Sequence, residues 1–146
     1  MPLLEGATDW INKKVTKEQL VGRKPTLIHF WAVSCDLCKE SLMNINYLRN
    51  KYYNDLNVVA VHMPLVEEDK KISDIKLIAN QYNLTQPIFV DNDSKLSSVF
   101  NNKIVPTYYI FDKGGKLRHI QSGGRSMHML EKRIERVIFE MRNAKF

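Results

Sequence analysis

An unbroken apolar run, "PTLIHFWA" (Pro25–Ala32), leads into two cysteines, Cys35 and Cys38. A run of that length, opened by proline and lacking polar alternation, reads as a strand buried on both faces. Such a strand needs partners on both edges and cover above and below, which points to the centre of an α/β sheet. Past Cys35, apolar residues at Cys38, Leu42, Ile45, Leu48 and Tyr52 recur at helical spacing. The chain therefore turns from strand to helix at Cys35, and the helix is expected to continue to about Tyr53.

The rest of the chain alternates in the same way. "LNVVAVHM" (Leu56–Met63) reads as a second buried strand stopped by Pro64, and "LVEEDKK" as a charged loop. Ile75, Ile78, Ala79 and Tyr82 mark a helix over Ile72–Tyr82, and "QPIFVD" a short third strand. Asp93 or Ser94 is placed to cap a short helix ending near Phe100. "PTYYIFD", "KGG" and "KLRHIQS" predict a hairpin with a glycine turn. After the glycines at 123–124 comes a last helix, Ser126 to about Asn143. Upstream of Gly22 the signals are weak: strand-like pieces at Trp10–Ile11 and Val15, then a turn through Glu18–Leu20. The expected architecture is one α/β domain over residues 1–146, its sheet mixed because the last hairpin is antiparallel.

The formal charge is +6. The lysines and arginines are scattered without block or aromatic interleaving, so neither nucleic acid nor a membrane is expected as a partner. No apolar run reaches the length of a membrane span. The start, "MPLLEGATDW", has no basic or apolar leader region, so the expected location is the cytoplasm. In that reducing compartment a C-x-x-C pair points to redox or metal chemistry more than to a structural disulfide.

Location assigns different work to the two cysteines. Cys35 opens a helix, where unpaired N–H groups and the positive end of the dipole favour a thiolate. Cys38 lies one turn inward on the apolar stripe, within disulfide reach. Cys35 is thus the expected nucleophile and Cys38 the resolving thiol of dithiol–disulfide exchange. Asp36 beside the nucleophile opposes its ionisation and leans the pair toward a reductant. Zinc would need two further ligands at suitable spacing, and His29, His62, His119 and His128 form no such set, so no metal is expected. A pair of inert buried thiols is the plain alternative.

Two segments carry a resemblance. "LIHFWAVSCDLC" resembles the active-site segment of thioredoxin-like proteins, and "VPTYYIFDKGGKL" their X-Pro-Thr strand and hairpin. The likeness is closest to the redoxin branch that includes cytochrome-maturation oxidoreductases, with an extra helix and strand matching Pro64–Asp91. It implies a thioredoxin-like fold, helices on both faces of a mixed sheet, and a cis bond before Pro106. It also implies a substrate groove formed by Trp31, Ser34, Asp36, Leu37, Val105 and Thr107, with Trp31 packed beneath the active site and shielding it and Val105 offering its main chain to an extended substrate. The departures are Ser34 for tryptophan, Asp36-Leu37 for glycine–proline, and His29 for a buried aspartate. Catalytic assistance is therefore open between His29 and an acid after the next strand, Glu67 or Glu68, with His62 a further candidate.

The expected function is a thiol–disulfide oxidoreductase that reduces protein disulfides and draws electrons from an unnamed donor. It would need no cofactor beyond its own dithiol and would act as a monomer. The alternatives are a thiol-dependent binding or chaperone module and a peroxiredoxin-like peroxidase. The peroxidase motif has a proline and a threonine before its cysteine, and "FWAVSCDLC" lacks both.

Overall fold

In the computed structural model, which describes residues 1–124 and 126–143, the central element is the predicted one. Strand β2 (Thr26–Trp31) is buried at every position. Strands β1 (Asp9–Ile11), β3 (Asn57–His62), β4 (Ile88–Val90), β5 (Thr107–Phe111) and β6 (Leu117–Ser122) join it in one sheet, ordered β1-β4-β3-β2-β5-β6. β2, β3 and β4 run parallel, while β1, β5 and β6 are antiparallel to their neighbours.

The pleat divides β2 between two layers. Ile28 and Phe30 face a cluster with Val59, Val61, Phe89, Leu96 and Tyr109, closed by the N-terminal segment and helix α4 (Lys95–Phe100). Leu27, His29 and Trp31 face the other side, under helices α2 (Asp36–Lys51), α3 (Ile72–Gln81) and α5 (Met127–Arg142). Each large apolar side chain in these layers contributes about 1.5–3 kcal/mol by leaving water. α2 crosses the sheet with Cys38, Leu42, Ile45 and Leu48 inward. That packing sets where its first turn, and so Cys35, must stand.

Three local expectations are corrected. The segment read as a turn is helix α1 (Lys17–Leu20), started by a capping box in which Thr16 and Gln19 bond each other's main chain. Neither Asp93 nor Ser94 caps α4 with its side chain: the buried carboxylate of Asp91 accepts the N–H groups of Leu96 and Ser97 at 3.0 and 2.9 Å. Within the charged loop, Glu67–Lys70 forms a 3-10 turn.

His29 belongs to the core rather than the redox site. Arg49 can only donate, and its Nη1 does so to Oε1 of Gln86 at 2.7 Å. The amide nitrogen of Gln86 therefore faces His29 Nε2, 2.9 Å away, and the imidazole accepts there. Asn46 joins through Arg49 and the carbonyl of Tyr82. Asn46 lies two turns beyond Cys38, about 12 Å along the helix. Burial, and secondarily the Arg49 charge, holds His29 down to about 3. The unfolded chain takes up this proton below pH 6.5 and the folded chain does not until about 3, so stability is present above 6.5 and lost as pH falls toward 3. Urea unfolding should show a decline approaching about 1.4 kcal/mol per pH unit below 6.5 from this group. His29→Leu should flatten that part of the curve while lowering the value at pH 7.

Candidate active site

Cys35 is the N-cap of α2, with φ −93° and ψ 101°. Its sulfur, rather than the usual oxygen, accepts the main-chain N–H of Cys38 at 3.1 Å. Cys35 and Cys38 form a disulfide with Cα atoms 5.2 Å apart. The two residues differ in access: Cys35 is 8% exposed and Cys38 1%. An incoming group therefore meets Cys35 first. Once the bond is reduced, the same N–H and the helix dipole would stabilise negative charge on Cys35.

The turn before α2 is held at each main-chain N–H. Cys35 N–H donates to Ala32 O at 3.1 Å. Ser34 N–H donates to Asp69 Oδ1 at 3.1 Å, and the Ser34 hydroxyl to Asp69 Oδ2 at 2.7 Å. Val33 N–H donates to Nε2 of His62 at 3.1 Å. Asp69, 2% exposed, also accepts from Leu65 N–H at 2.9 Å and Val66 N–H at 3.4 Å. Burial pushes its pKa up, but the Leu65, Ser34 and Val66 donors outweigh that and hold the carboxyl below its ordinary value.

The acid that reaches this turn is thus Asp69, not Glu67 or Glu68. Both glutamates are exposed on the 3-10 turn, and Glu67 pairs with Lys70 at 3.1 Å. Nothing in the spacing of "VEED" separates the three acids. The only local sign is that Asp69 is the N3 position of the turn, where an acid can reach back to free N–H groups.

The residues expected to line the groove divide into two sets. Asp36 is exposed, with Lys39 3.9 Å away, and Leu37 is partly exposed beside Gly124. A Cβ on Gly124 would come within 3.1 Å of Leu37 Cδ1, so glycine there leaves room for the Leu37 side chain. The Val105–Pro106 bond is cis, and the carbonyl of Val105 is 3.9 Å from Cys35 Sγ. Val105 lies before the first paired residue of β5, Thr107, so its main chain stands outside the ladder beside the sulfur.

Thr107 differs from the expected groove contacts, and Trp31 takes its expected place beneath the active site rather than touching substrate. Trp31 is fully buried beneath the cysteines, stacked edge-on against His62. Thr107 is 2% exposed, and its hydroxyl donates to Ile104 O at 2.6 Å, with Ser122 Oγ at 3.2 Å. It ties the loop before Pro106 together rather than facing a substrate. Ser34 is exposed as a residue, but its hydroxyl is committed to Asp69. A cavity of about 570 Å³ opens elsewhere, between Lys13, Leu20, Arg49 and Gln86.

Comparison with known proteins agrees with this geometry. A family model described as the AhpC/TSA family matches residues 2–120. The thiol-disulfide oxidoreductase YkuV of Bacillus subtilis (strain 168) is 56% identical over 140 residues, covering 96% of this chain and 95% of that protein. The thioredoxin-like protein YneN of the same organism is 30% identical over 123 residues, covering 84% and 70%. A solution structure of a thioredoxin-like protein in the oxidized form superposes with a TM-score of 0.86 at 56% identity, over 92% of this chain and 91% of the other. A putative thiol:disulfide interchange protein DsbE from Chlorobium tepidum has the same fold, with a TM-score of 0.81 at 23% identity over 94% of each chain.

The hydrogen bonds of Asp69 yield a test. In Asp69→Asn, one acceptor oxygen becomes a donor facing Ser34 Oγ and Leu65 N–H, which should cost about 1–3 kcal/mol. Loss of the negative charge beside the turn should also let Cys35 ionise at lower pH. Alkylation of the reduced protein followed against pH would show the shift, and urea unfolding the cost.

Proposed function

The chain belongs to the AhpC/TSA family and is a thioredoxin-like thiol–disulfide oxidoreductase, and we propose that it works as a cytoplasmic, monomeric reductase of protein disulfides. The observation that supports this reading most is the sulfur of Cys35 at the tip of α2, bonded by the Cys38 N–H, in a residue more exposed than Cys38.

The exchange runs in two steps. The Cys35 thiolate attacks one sulfur of the substrate disulfide; that S–S bond breaks, a mixed disulfide forms, and the departing sulfur leaves as a thiolate that takes up a proton. Cys38 then loses its proton and attacks Cys35 Sγ. The mixed disulfide breaks, the substrate leaves as a dithiol, and the Cys35–Cys38 bond re-forms. Two electrons pass to the substrate, and a dithiol donor returns them by the reverse sequence. An extended substrate segment beside Val105 would present its disulfide to Cys35 through main-chain pairing.

Charge supports the reducing direction. A strong oxidant stabilises its reduced, thiolate form. Here the carboxylates of Asp36 and Asp69 stand near the nucleophile and counteract the helix dipole. Asp36 is exposed and screened, so buried Asp69 carries more of the effect.

Cys35→Ser should abolish reduction of a protein disulfide such as that of insulin. Cys38→Ser should instead accumulate a mixed disulfide with the substrate, visible on a non-reducing gel. Full activity in Cys35→Ser would remove that sulfur from the mechanism.

A further inference from the structure

His62 is the last residue of β3 and is fully buried. Its main chain is locked between two strands, in register with Trp31 of β2 and Val90 of β4. Its ring stands edge-on to Trp31, with centroids 4.8 Å apart and an interplanar angle of 84°. From this fixed base Nε2 reaches over to the N–H of Val33, 3.1 Å away, two residues before the nucleophile. An N–H donates there, so the accepting nitrogen carries no proton and the neutral ring holds its proton on Nδ1. Nδ1 then has no hydrogen-bond partner among the described residues. A phenylalanine of similar size would pack against Trp31 and spare the unpaired Nδ1, but it would leave the Val33 N–H without its acceptor. What the imidazole adds over such a ring is one acceptor, aimed at the turn that ends in Cys35.

We propose that His62 is a positioning residue for the exchange reaction, fixing through Nε2 the turn that presents Cys35. The second hold on that turn, Asp69, comes from a loop, whereas His62 is mounted on the sheet and sets the turn's position relative to it. Cys35 can accept the Cys38 N–H only while its backbone keeps the extended N-cap conformation. A turn freed at Val33 would let the sulfur drift from that arrangement. Burial pushes the His62 pKa down to about 4 against the opposing pull of Asp69, so the ring is the neutral acceptor at working pH.

This inference rests on Cys35 being the attacking sulfur, which Cys35→Ser tests separately. Nitrogen-15 NMR of the unaltered protein should show His62 protonated at Nδ1 and a through-bond coupling between Nε2 and the Val33 amide. A ring protonated at Nε2, or no coupling to Val33, would overturn the proposal. In insulin reduction, His62→Phe should lower kcat about 10-fold or more with KM unchanged, since misplacement of reacting groups acts on the chemical step. His62→Gln, whose amide oxygen can reach the place of Nε2, should restore kcat to within about twofold. Wild-type kcat in the Phe variant, or a Gln variant as slow as Phe, would also overturn it. Should the Phe variant fail to fold, the NMR measurement and the Gln variant decide.

Discussion

The main-chain N–H of Cys38 bonded to the sulfur of Cys35 is the interaction on which the redox site depends. It is a helix cap and a catalytic feature at once. As a cap, it satisfies one of the donors that every helix start leaves open. As chemistry, it places a hydrogen-bond donor and a positive dipole end against the atom that must carry charge. An oxygen cap would serve the helix equally well but could not take part in exchange. Substituting sulfur makes the structural requirement and the reaction coincide.

That cap is held from beneath by the sheet. β2 is buried at all six of its positions, so it cannot slide or rotate without exposing one layer or the other. α2 is fixed in turn by Cys38, Leu42, Ile45 and Leu48 against the same sheet. Only the short turn between them has freedom, and three different groups hold it: a local carbonyl from Ala32, a sheet-mounted imidazole from His62, and a loop-mounted carboxylate from Asp69. The division suits the task. Rigid anchors set where the sulfur stands, while the loop anchor also connects the turn to the exposed Leu65 and Val66 through their N–H groups.

Much of this was legible in the residues because it follows from periodicity. A buried strand, an amphipathic helix and a C-x-x-C at their junction each leave a local signature, and together they place the nucleophile. The polar anchors leave none. Asp69 and Ser34 are far apart in the chain, and no rule of spacing joins them; Glu67 and Glu68 were equally good candidates until the 3-10 turn selected the third acid. Thr107 follows the proline of the resembling motif, which implies a place facing substrate, but its position on β5 turns the hydroxyl inward to Ile104. Asp91 caps α4 from outside the helix, five residues before its first recipient, Leu96, which a search for a capping residue next to the helix cannot find.

The two buried histidines show why composition alone could not assign the polar groups of the core. Both face the same side of the sheet, and burial lowers the pKa of both. Their partners separate them. His29 meets a carboxamide that Arg49 has already oriented, so its ring completes a network that ties β2 to α2 far from the sulfurs. His62 meets a main-chain N–H two residues from the nucleophile. A histidine that accepts from a side chain can follow that side chain as it moves. One that accepts from the backbone pins the chain itself, and a strand end in the middle of the sheet is the firmest base for it. Position along the strand, rather than titration, therefore decides which histidine bears on the reaction.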